Sequence, residues 1–235
     1  MNRSPDLPNL MNIAIFGGTF DPIHAGHLAA ARAAQRRFHL DRVLFIPTGN
    51  PPHKIHDRLT DYAQRLAMVA VACAGEPRFI PSTIEAPTVD GSPRYSIDTV
   101  RAVRRKLRQH DRLFFLVGAD AFLDLPHWRE FRRLLDAVEF IVVPRPGFDA
   151  DALRQVPPPD LLRVRRLAQK AETIRLRHGA IHILPGVDAP VASREIRLAV
   201  RARKPITGLV SKLVEEYILK EGLYSPSASA KRLPR

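Results

Sequence analysis

The sequence has little cysteine, no long hydrophobic run and few acidic residues for its number of basic ones. Its single cysteine, Cys73, excludes an internal disulfide and fits a reducing compartment, and its apolar helical surroundings indicate a buried structural thiol. No segment approaches the roughly 20 apolar residues of a membrane-spanning helix. Residues 1–10 also lack the apolar core of a secretory signal. These absences predict a cytoplasmic protein with no membrane partner.

The charge balance is strongly basic, with 24 Asp and Glu against 37 Lys and Arg and a net charge of +13. A basic surface attracts nucleic acids, but it also attracts ATP and other small anionic substrates. The basic residues are spread over several segments, and no helix-turn-helix, zinc-finger or RNP-like pattern accompanies them. The sequence therefore favours anionic small molecules over a specific nucleic acid partner. Salt-dependent DNA binding would indicate the opposite.

The length of 235 residues suits one α/β domain with a full core. Short apolar runs alternate with helical patterns, which predicts a parallel sheet with helices on both faces. The predicted strands cover residues 11–16, 42–46, 78–81, 113–117, 140–143 and 181–184. Residues 148–179 give a weak signal and are predicted to form a partly helical surface excursion within a single domain over residues 11–224. Residues 1–10 and 225–235 are predicted to be a disordered extension and a disordered tail.

Polar residues with capping preferences predict where several helices begin. Thr60, Ser96 and Ser193 are the predicted N-caps of three helices. The helix at Ser96 is predicted to run to about Gln109. A final helix is predicted from Thr207 to Lys220.

The most informative stretch is Gly17-Gly-Thr-Phe-Asp-Pro-Ile-His-Ala-Gly-His27, between a predicted strand and a predicted helix. Nucleotides bind at such turns in open α/β sheets. Gly17 and Gly18 let backbone N–H groups approach phosphate oxygens, and the following helix offers free N–H groups and a positive dipole end. His24 and His27 are three residues apart, so at a helix start their side chains face the same way. Two imidazoles beside phosphates would donate hydrogen bonds and stabilise developing negative charge.

This pattern is neither Gly-x-Gly-x-x-Gly nor a Walker loop. A metal pair or two surface histidines are the alternative interpretations. A metal site is disfavoured because no cysteine or carboxylate cluster supports the histidines. Asp21, the one nearby acid, is expected to shape the turn together with Pro22.

The motif resembles the signature of the nucleotidylyltransferase superfamily, and it looks most like that of bacterial nicotinate-nucleotide adenylyltransferases. The resemblance runs from Met11 to Tyr224 and is thin over residues 148–179. It implies a Rossmann-like parallel sheet with a small C-terminal helical part. It also implies adenylyl transfer from ATP to nicotinate mononucleotide, which gives deamido-NAD and pyrophosphate in NAD biosynthesis. Mg²⁺ is expected as the counter-ion of ATP, held mainly by phosphates and water, with no metal ligand from the protein.

The resemblance assigns catalytic roles to His24, His27 and Arg197. The residues expected to bind ATP are Gly17, Gly18, Thr19, Phe20, His24, His27, Asp120, Ser193 and Arg197. Asp120 lies in Gly118-Ala-Asp-Ala121, which resembles a Gly-x-Asp-Ser element whose aspartate contacts a ribose hydroxyl; a structural cap is the alternative.

Val191-Ala-Ser-Arg-Glu-Ile-Arg197 resembles the family's second signature, Ile-Ser-Ser-Thr-x-Ile-Arg. Ala192 and Arg194 stand where hydroxyl residues are usual, so two expected contacts to the ATP phosphates are missing, although Arg194 offers a charge instead. For Arg197 the alternative is a surface ion pair.

The mononucleotide is expected to contact three other segments. Pro51-Pro-His-Lys54 is similar to the family's substrate loop, and its lysine suits a phosphate; a solvated rigid loop is the alternative. Arg94-Tyr-Ser96 and Leu125-Pro-His-Trp128 look like the segments that hold the nicotinate ring and its carboxylate, with core packing as the alternative for the tryptophan. The predicted substrate-binding residues are Thr19, His53, Lys54, Tyr95, Ser96 and Trp128.

Three other functions stay open from the sequence: transfer to nicotinamide mononucleotide, transfer to phosphopantetheine, or a non-catalytic module that binds nucleotides or nucleic acid. The phosphopantetheine enzymes usually carry threonine where His24 stands, which disfavours that acceptor. The sequence does not distinguish an acid from an amide mononucleotide. It also leaves the oligomeric state open, and a homo-oligomer is compatible with it.

Overall fold

The computed structural model describes residues 10–50, 59–144, 150–163, 172–187 and 191–226. Within these ranges the chain forms a seven-stranded sheet with the spatial order β3-β2-β1-β4-β5-β7-β6. In chain order the strands are β1 (Asn12–Gly18), β2 (Arg42–Pro47), β3 (Phe79–Pro81), β4 (Arg112–Gly118), β5 (Glu139–Val143), β6 (Thr173–Leu176) and β7 (Gly179–Ile183).

Helices connect most of the strands. In chain order they are α1 (Ala25–Phe38), α2 (Tyr62–Cys73), α3 (Ser96–Arg104), α4 (Ala119–Leu123), α5 (Phe131–Ala137), α6 (Ala150–Arg154), α7 (Ser193–Arg201) and α8 (Lys212–Lys220). Short 3₁₀ turns occupy Leu125–His127 and Pro159–Leu161. Among the described residues no helix is both long and apolar enough to cross a membrane.

The central strands are apolar at successive positions because both faces of the sheet are covered. In β1, Ala14 and Phe16 face one core, which also contains residues of α1, α2, α7 and α8. Ile13 and Ile15 face the other core, against α3, α4 and α5. This two-sided burial is why the strands read as unbroken apolar runs rather than as an alternating pattern.

The parallel pairing brings the carboxyl ends of the strands to one edge. β1 pairs with β2 on one side and with β4 on the other, both in parallel. The chain therefore changes direction across the sheet at β1, and such a switch point leaves a crevice beyond the strand ends. The signature turn, residues 18–24, begins at this point.

The predicted fold class is confirmed, with one addition at the sheet edge. β6 pairs antiparallel with β7, whereas the other pairs are parallel. The prediction of a surface excursion over residues 148–179 is wrong in part, because Leu153 and Ile174 are fully buried in the core. The extent of the single domain stays a prediction. Most of the predicted extension and tail lies outside the described residues.

Several helix starts differ from the predictions by one residue or more. The N-caps of α2, α3 and α7 are Asp61, Tyr95 and Ala192, each adjacent to the predicted residue. α8 begins at Lys212, because Ser211 caps it by accepting a hydrogen bond from the Val214 N–H at 3.4 Å. The predicted starting residue, Thr207, instead donates its hydroxyl to Glu215 at 2.8 Å. α3 ends at Arg104, short of the predicted Gln109.

Candidate active site

Two cavities open at the carboxyl edge of the sheet, one on each side of the β1 terminus. The first has a volume of about 480 Å³ and the second about 730 Å³. Gly17, Val117 and Ala121 line both. The ends of β1 and β4 therefore form a shared wall, across which two ligands could meet.

The two motif histidines lie together in the wall of the first cavity. His24 is the N-cap of α1, and its backbone N–H donates to Nδ1 of His27 at 3.2 Å. The imidazole rings stack with centroids 3.7 Å apart and an interplanar angle of 27°. The prediction that both side chains face the same way is confirmed. Because Nδ1 of His27 accepts a hydrogen bond from the backbone N–H, a neutral His27 carries its proton on Nε2, where it is a hydrogen-bond donor.

Aromatic packing fixes the orientation of His27 from below. Phe20 is 2% exposed and its ring meets the His27 ring edge-on at a centroid distance of 5.0 Å. A Cβ on Gly18 would come within 3.2 Å of the Phe20 ring, so a side chain there would require the ring to shift by a few tenths of an ångström. A Cβ on Gly17 would have no protein atom nearer than 4.0 Å, and this position instead borders the space of both cavities. Phe20, predicted to bind ATP, thus lies in the core beneath the histidine.

The buried carboxylate of Asp21 holds the signature turn. It accepts hydrogen bonds from the Tyr224 hydroxyl at 2.7 Å and from the Thr60 N–H at 3.3 Å. Burial, and next the negative charge of Asp21, raise the pKa of Tyr224, which therefore stays a neutral donor. Asp21 shapes the turn, as the sequence predicted. Its bond to Tyr224, more than 200 positions away, was not indicated by the sequence.

The second signature segment contacts the same turn from α7. Ser193 Oγ donates to the Pro22 carbonyl at 2.9 Å, and Arg197 Nη1 donates to the Asp21 carbonyl at 2.6 Å. The first cavity is lined nearby by Val191, Ala192 and Glu195. In this structure both predicted phosphate ligands contact the turn that carries the histidines, and their contact with ATP stays a prediction. Arg194 is exposed and is not among the described residues that line the cavity.

The Gly118-Ala-Asp-Ala121 segment begins at the last residue of β4; Gly118 is the N-cap of α4, and the other three residues lie in its first turn. Gly118 and Ala121 line the first cavity, whereas Asp120 is exposed and is absent from the described lining. The structure thus places the segment at the site without bringing the aspartate side chain into the cavity wall. Its contact with ribose stays a prediction.

The second cavity has aromatic walls. Tyr95 and Trp128 are half-buried, pack against the core and line it together with Ser96 and Thr19. Trp128 meets Phe115 edge-on at a centroid distance of 6.0 Å. These four predicted substrate residues are brought together by the fold. His53 and Lys54, also predicted to bind substrate, lie outside the described residues.

Charged groups at the second cavity were not found from the sequence. Arg129 stacks over the Tyr95 ring at 4.7 Å, and Arg94 also lines the cavity. Glu85 is 7% exposed in the cavity wall and accepts a hydrogen bond from Thr99 Oγ1 at 2.6 Å. Burial raises the pKa of Glu85, opposed by this hydrogen bond and by the positive charge of Arg94. Glu85 carried no sequence signal, because an acid in a loop rich in turn residues ordinarily lies at the surface.

Arg65 is the other functional candidate that sequence reasoning missed. It is 2% exposed within α2, and its guanidinium donates to backbone carbonyls near the ends of β1 and β2. A signal did exist: Arg65 shares helical spacing with the buried Met68, Val69 and Ala72, which places it on the apolar face.

The chain belongs to the cytidylyltransferase-like family, whose sequence model matches residues 15–199. It is similar to curated relatives named "Probable nicotinate-nucleotide adenylyltransferase". The relative from Solibacter usitatus is 53% identical over 138 residues, which cover 58% of this chain and 71% of that protein. The relative from Moorella thermoacetica is 38% identical over 214 residues, which cover 91% and 92%.

A solved structure shows the same fold. Nicotinic acid mononucleotide adenylyltransferase from Plasmodium falciparum, in complex with NaAD, aligns with a TM-score of 0.68 and 17% identity, covering 91% of this chain and 97% of that one. The curated relatives confirm the resemblance to nicotinate-nucleotide adenylyltransferases that the motif suggested.

Proposed function

We propose that the chain transfers the adenylyl group of ATP to nicotinate mononucleotide, which gives deamido-NAD and pyrophosphate. The observation that carries this proposal is the pair of cavities that meet at Gly17, Val117 and Ala121. One cavity has the imidazole pair at a helix N-terminus, which suits phosphates. The other has aromatic walls with cations at its border, which suits a flat anionic ring. A reaction between two nucleotides needs such an arrangement.

The reaction is an in-line displacement at the α-phosphorus of ATP. A phosphate oxygen of the mononucleotide forms the new bond to this phosphorus, while the bond to the β-phosphate oxygen breaks and pyrophosphate leaves. The substrate supplies the nucleophile, so the protein needs to contribute only positioning and charge stabilisation. We assign the charge stabilisation to His24 and His27, with His27 Nε2–H as a donor toward the phosphates.

The remaining predicted residues keep the roles given by the resemblance. Ser193 and Arg197 hold the turn in this structure, and we propose that they also contact the ATP phosphates once ATP is bound. Tyr95 and Trp128 would enclose the pyridine ring, and Arg94 and Arg129 favour an acid over an amide by their positive charge.

Mg²⁺ fits this site as the counter-ion of ATP. Among the described residues there is no group of three or more His, Cys, Asp or Glu side chains placed to hold a metal ion. We propose that phosphates and water supply most ligands of the ion, which is the usual preference of Mg²⁺. Because ATP is the second substrate, we also propose the cytoplasm as the place of action.

Pyrophosphate release with ATP and Mg²⁺ tests the proposed function. Nicotinate mononucleotide, nicotinamide mononucleotide and phosphopantetheine should be offered in parallel to the full chain. We expect turnover with the nicotinate substrate to exceed that with the other two. Turnover with another acceptor alone would support adenylyl transfer but contradict the assignment of nicotinate mononucleotide as the substrate. If ATP binds and no acceptor is turned over, the chain is a non-catalytic binding module.

A further inference from the structure

We propose that Arg65 is a positioning residue for the mononucleotide: it sets the separation of the β1 and β2 ends that wall the second cavity. This inference rests on the proposed function, because it assigns that cavity to the mononucleotide. It concerns a residue that lines neither described cavity. Arg65 would act entirely through the backbone that it holds.

The guanidinium joins three backbone segments. Nη1 donates to the carbonyls of Thr19 and Thr48, each at 2.8 Å, and Nε donates to the carbonyl of Thr60 at 2.9 Å. Nη2 lies 3.5 Å from the Gly49 carbonyl oxygen. The planar guanidinium holds donors on separate nitrogens in fixed directions, whereas lysine carries its three donors on one rotatable ammonium.

Two of these carbonyls belong to residues that line the second cavity. Thr19 and Thr48 are in its wall, on opposite sides of the step from β1 to β2. One further hydrogen bond crosses this step, from the Thr48 N–H to the Gly18 carbonyl at 2.9 Å. Since a single nitrogen of Arg65 bonds both Thr19 and Thr48, its position fixes their separation, and with it the width of this part of the cavity.

The described hydrogen bonds of this buried cation go to backbone carbonyls rather than to a carboxylate. Burial lowers the pKa of Arg65, opposed most strongly by the negative charge of Asp21. The backbone of Thr60 connects Asp21 and Arg65, because its N–H donates to Asp21 and its carbonyl accepts a hydrogen bond from Arg65. Loss of the guanidinium leaves the Thr19, Thr48 and Thr60 carbonyls without this donor, at a cost of about 1–3 kcal/mol for each buried group. Arg65→Met should therefore be less stable than wild type, and its kinetics are to be measured at a temperature where circular dichroism shows it to be folded.

Steady-state kinetics of the full chain test the proposal. For Arg65→Met we expect the KM for nicotinate mononucleotide to rise about 10- to 100-fold, because misplacement of about 1 Å has effects of this size. The KM for ATP should change less than about threefold, because none of the residues whose carbonyls Arg65 bonds lines the first cavity. Arg65→Lys, which keeps the charge without the fork, should fall between wild type and Arg65→Met.

Val69→Ala is the matched control, since it removes buried volume from the same helix without touching the three carbonyls. It should lower the melting temperature and leave both KM values near wild type. If Arg65→Met lowers stability but leaves the mononucleotide KM unchanged, the role of Arg65 is structural only and the inference is overturned. Equal rises in both KM values would overturn it as well.

Should Arg65→Met fail to fold, Arg65→Lys carries the test, and a folded lysine variant with a wild-type mononucleotide KM contradicts the proposal. Failure of the proposed function gives a different result, because wild type itself would then not turn over nicotinate mononucleotide. Turnover by wild type with no substrate-specific defect in the variants would overturn this inference alone.

Discussion

The two cavities of the site are built in different ways. The first takes its key side chains from one turn and the helix that follows, where His24 and His27 lie three residues apart. The second draws Thr19, Thr48 and Trp128 from three separate parts of the chain. Local geometry brings the two histidines of the first cavity together, whereas tertiary contacts bring together the key side chains of the second. A mutation near the histidines should therefore act on chemistry, and a mutation behind the second cavity should act on substrate binding.

Charge is also used differently on the two sides. In the first cavity the imidazoles border the space where phosphates would lie. In the second, the most deeply buried charge, Arg65, stands behind the wall, and the buried Glu85 carboxyl accepts a hydrogen bond from Thr99 within it. The exposed cations Arg94 and Arg129 remain available to the ligand. Arg65 thus bonds the backbone behind the wall, while the exposed cations border the space that we propose for the mononucleotide.

The largest expected effect comes from the first cavity. His27→Ala should lower kcat about 100- to 1000-fold, because it removes a preorganised donor from the developing charge of the transition state. The KM for nicotinate mononucleotide should stay within about threefold of wild type. Pyrophosphate release measures both. His178→Ala, an exposed histidine in the turn between β6 and β7, is the control and should leave kcat unchanged.

The opposite pattern is expected for the second cavity. Trp128→Ala should raise the KM for nicotinate mononucleotide about 10- to 100-fold by removing an aromatic face, with the KM for ATP unchanged. Trp128→Phe should recover most of the loss. A lower melting temperature with a normal KM would show instead that Trp128 serves core packing, and would remove the contrast between the cavities.

The part of the first cavity that carries the histidines could be predicted because its sequence information is local. The glycines, the proline and the two histidines are contiguous, and the i, i+3 spacing of His24 and His27 by itself predicts a shared face. The sheet was equally accessible, since five consecutive apolar residues at 113–117 indicate a strand buried on both faces. In both cases the pattern and its physical cause lie within about ten residues.

The parts that escaped prediction depend on distant partners. The Ser193 hydroxyl bonds the Pro22 carbonyl 171 positions away, so it holds the turn rather than capping α7. Arg65 could be placed on an apolar helix face, but nothing in the sequence identifies the carbonyls that accept its hydrogen bonds. β6 alternates apolar and polar residues over only four positions within a basic segment, which is too short a pattern to indicate a strand.

A stability effect without a kinetic effect is expected at the opposite edge of the sheet. Glu139, at the start of β5, accepts hydrogen bonds from His182 at 2.8 Å and from Arg112 at 2.8 and 2.9 Å. Partial burial raises the pKa of Glu139, but these hydrogen bonds outweigh it and the net pKa is lowered. The stabilisation is therefore complete above the unfolded pKa of about 4.3 and is lost as pH falls through the lower folded value.

Glu139→Gln should accordingly lower the free energy of unfolding by about 1–2 kcal/mol at pH 7, where the wild-type carboxylate is ionised. The difference between variant and wild type should shrink as pH falls below about 4. Urea unfolding at several pH values measures it. A loss of kcat at 25 °C in the folded variant would contradict the assignment of this edge to stability alone.

The smallest expected effect concerns Cys73, at the end of the helix that carries Arg65. Burial raises the pKa of the Cys73 thiol to about 12, so roughly one molecule in 10,000 carries the reactive thiolate at pH 8. Iodoacetamide should leave native enzyme active and unlabelled, and should label it fully in urea, as mass spectrometry would show. Rapid native labelling would mean that α2 opens readily, which would contradict the fixed placement of Arg65 on which the proposed width of the second cavity depends.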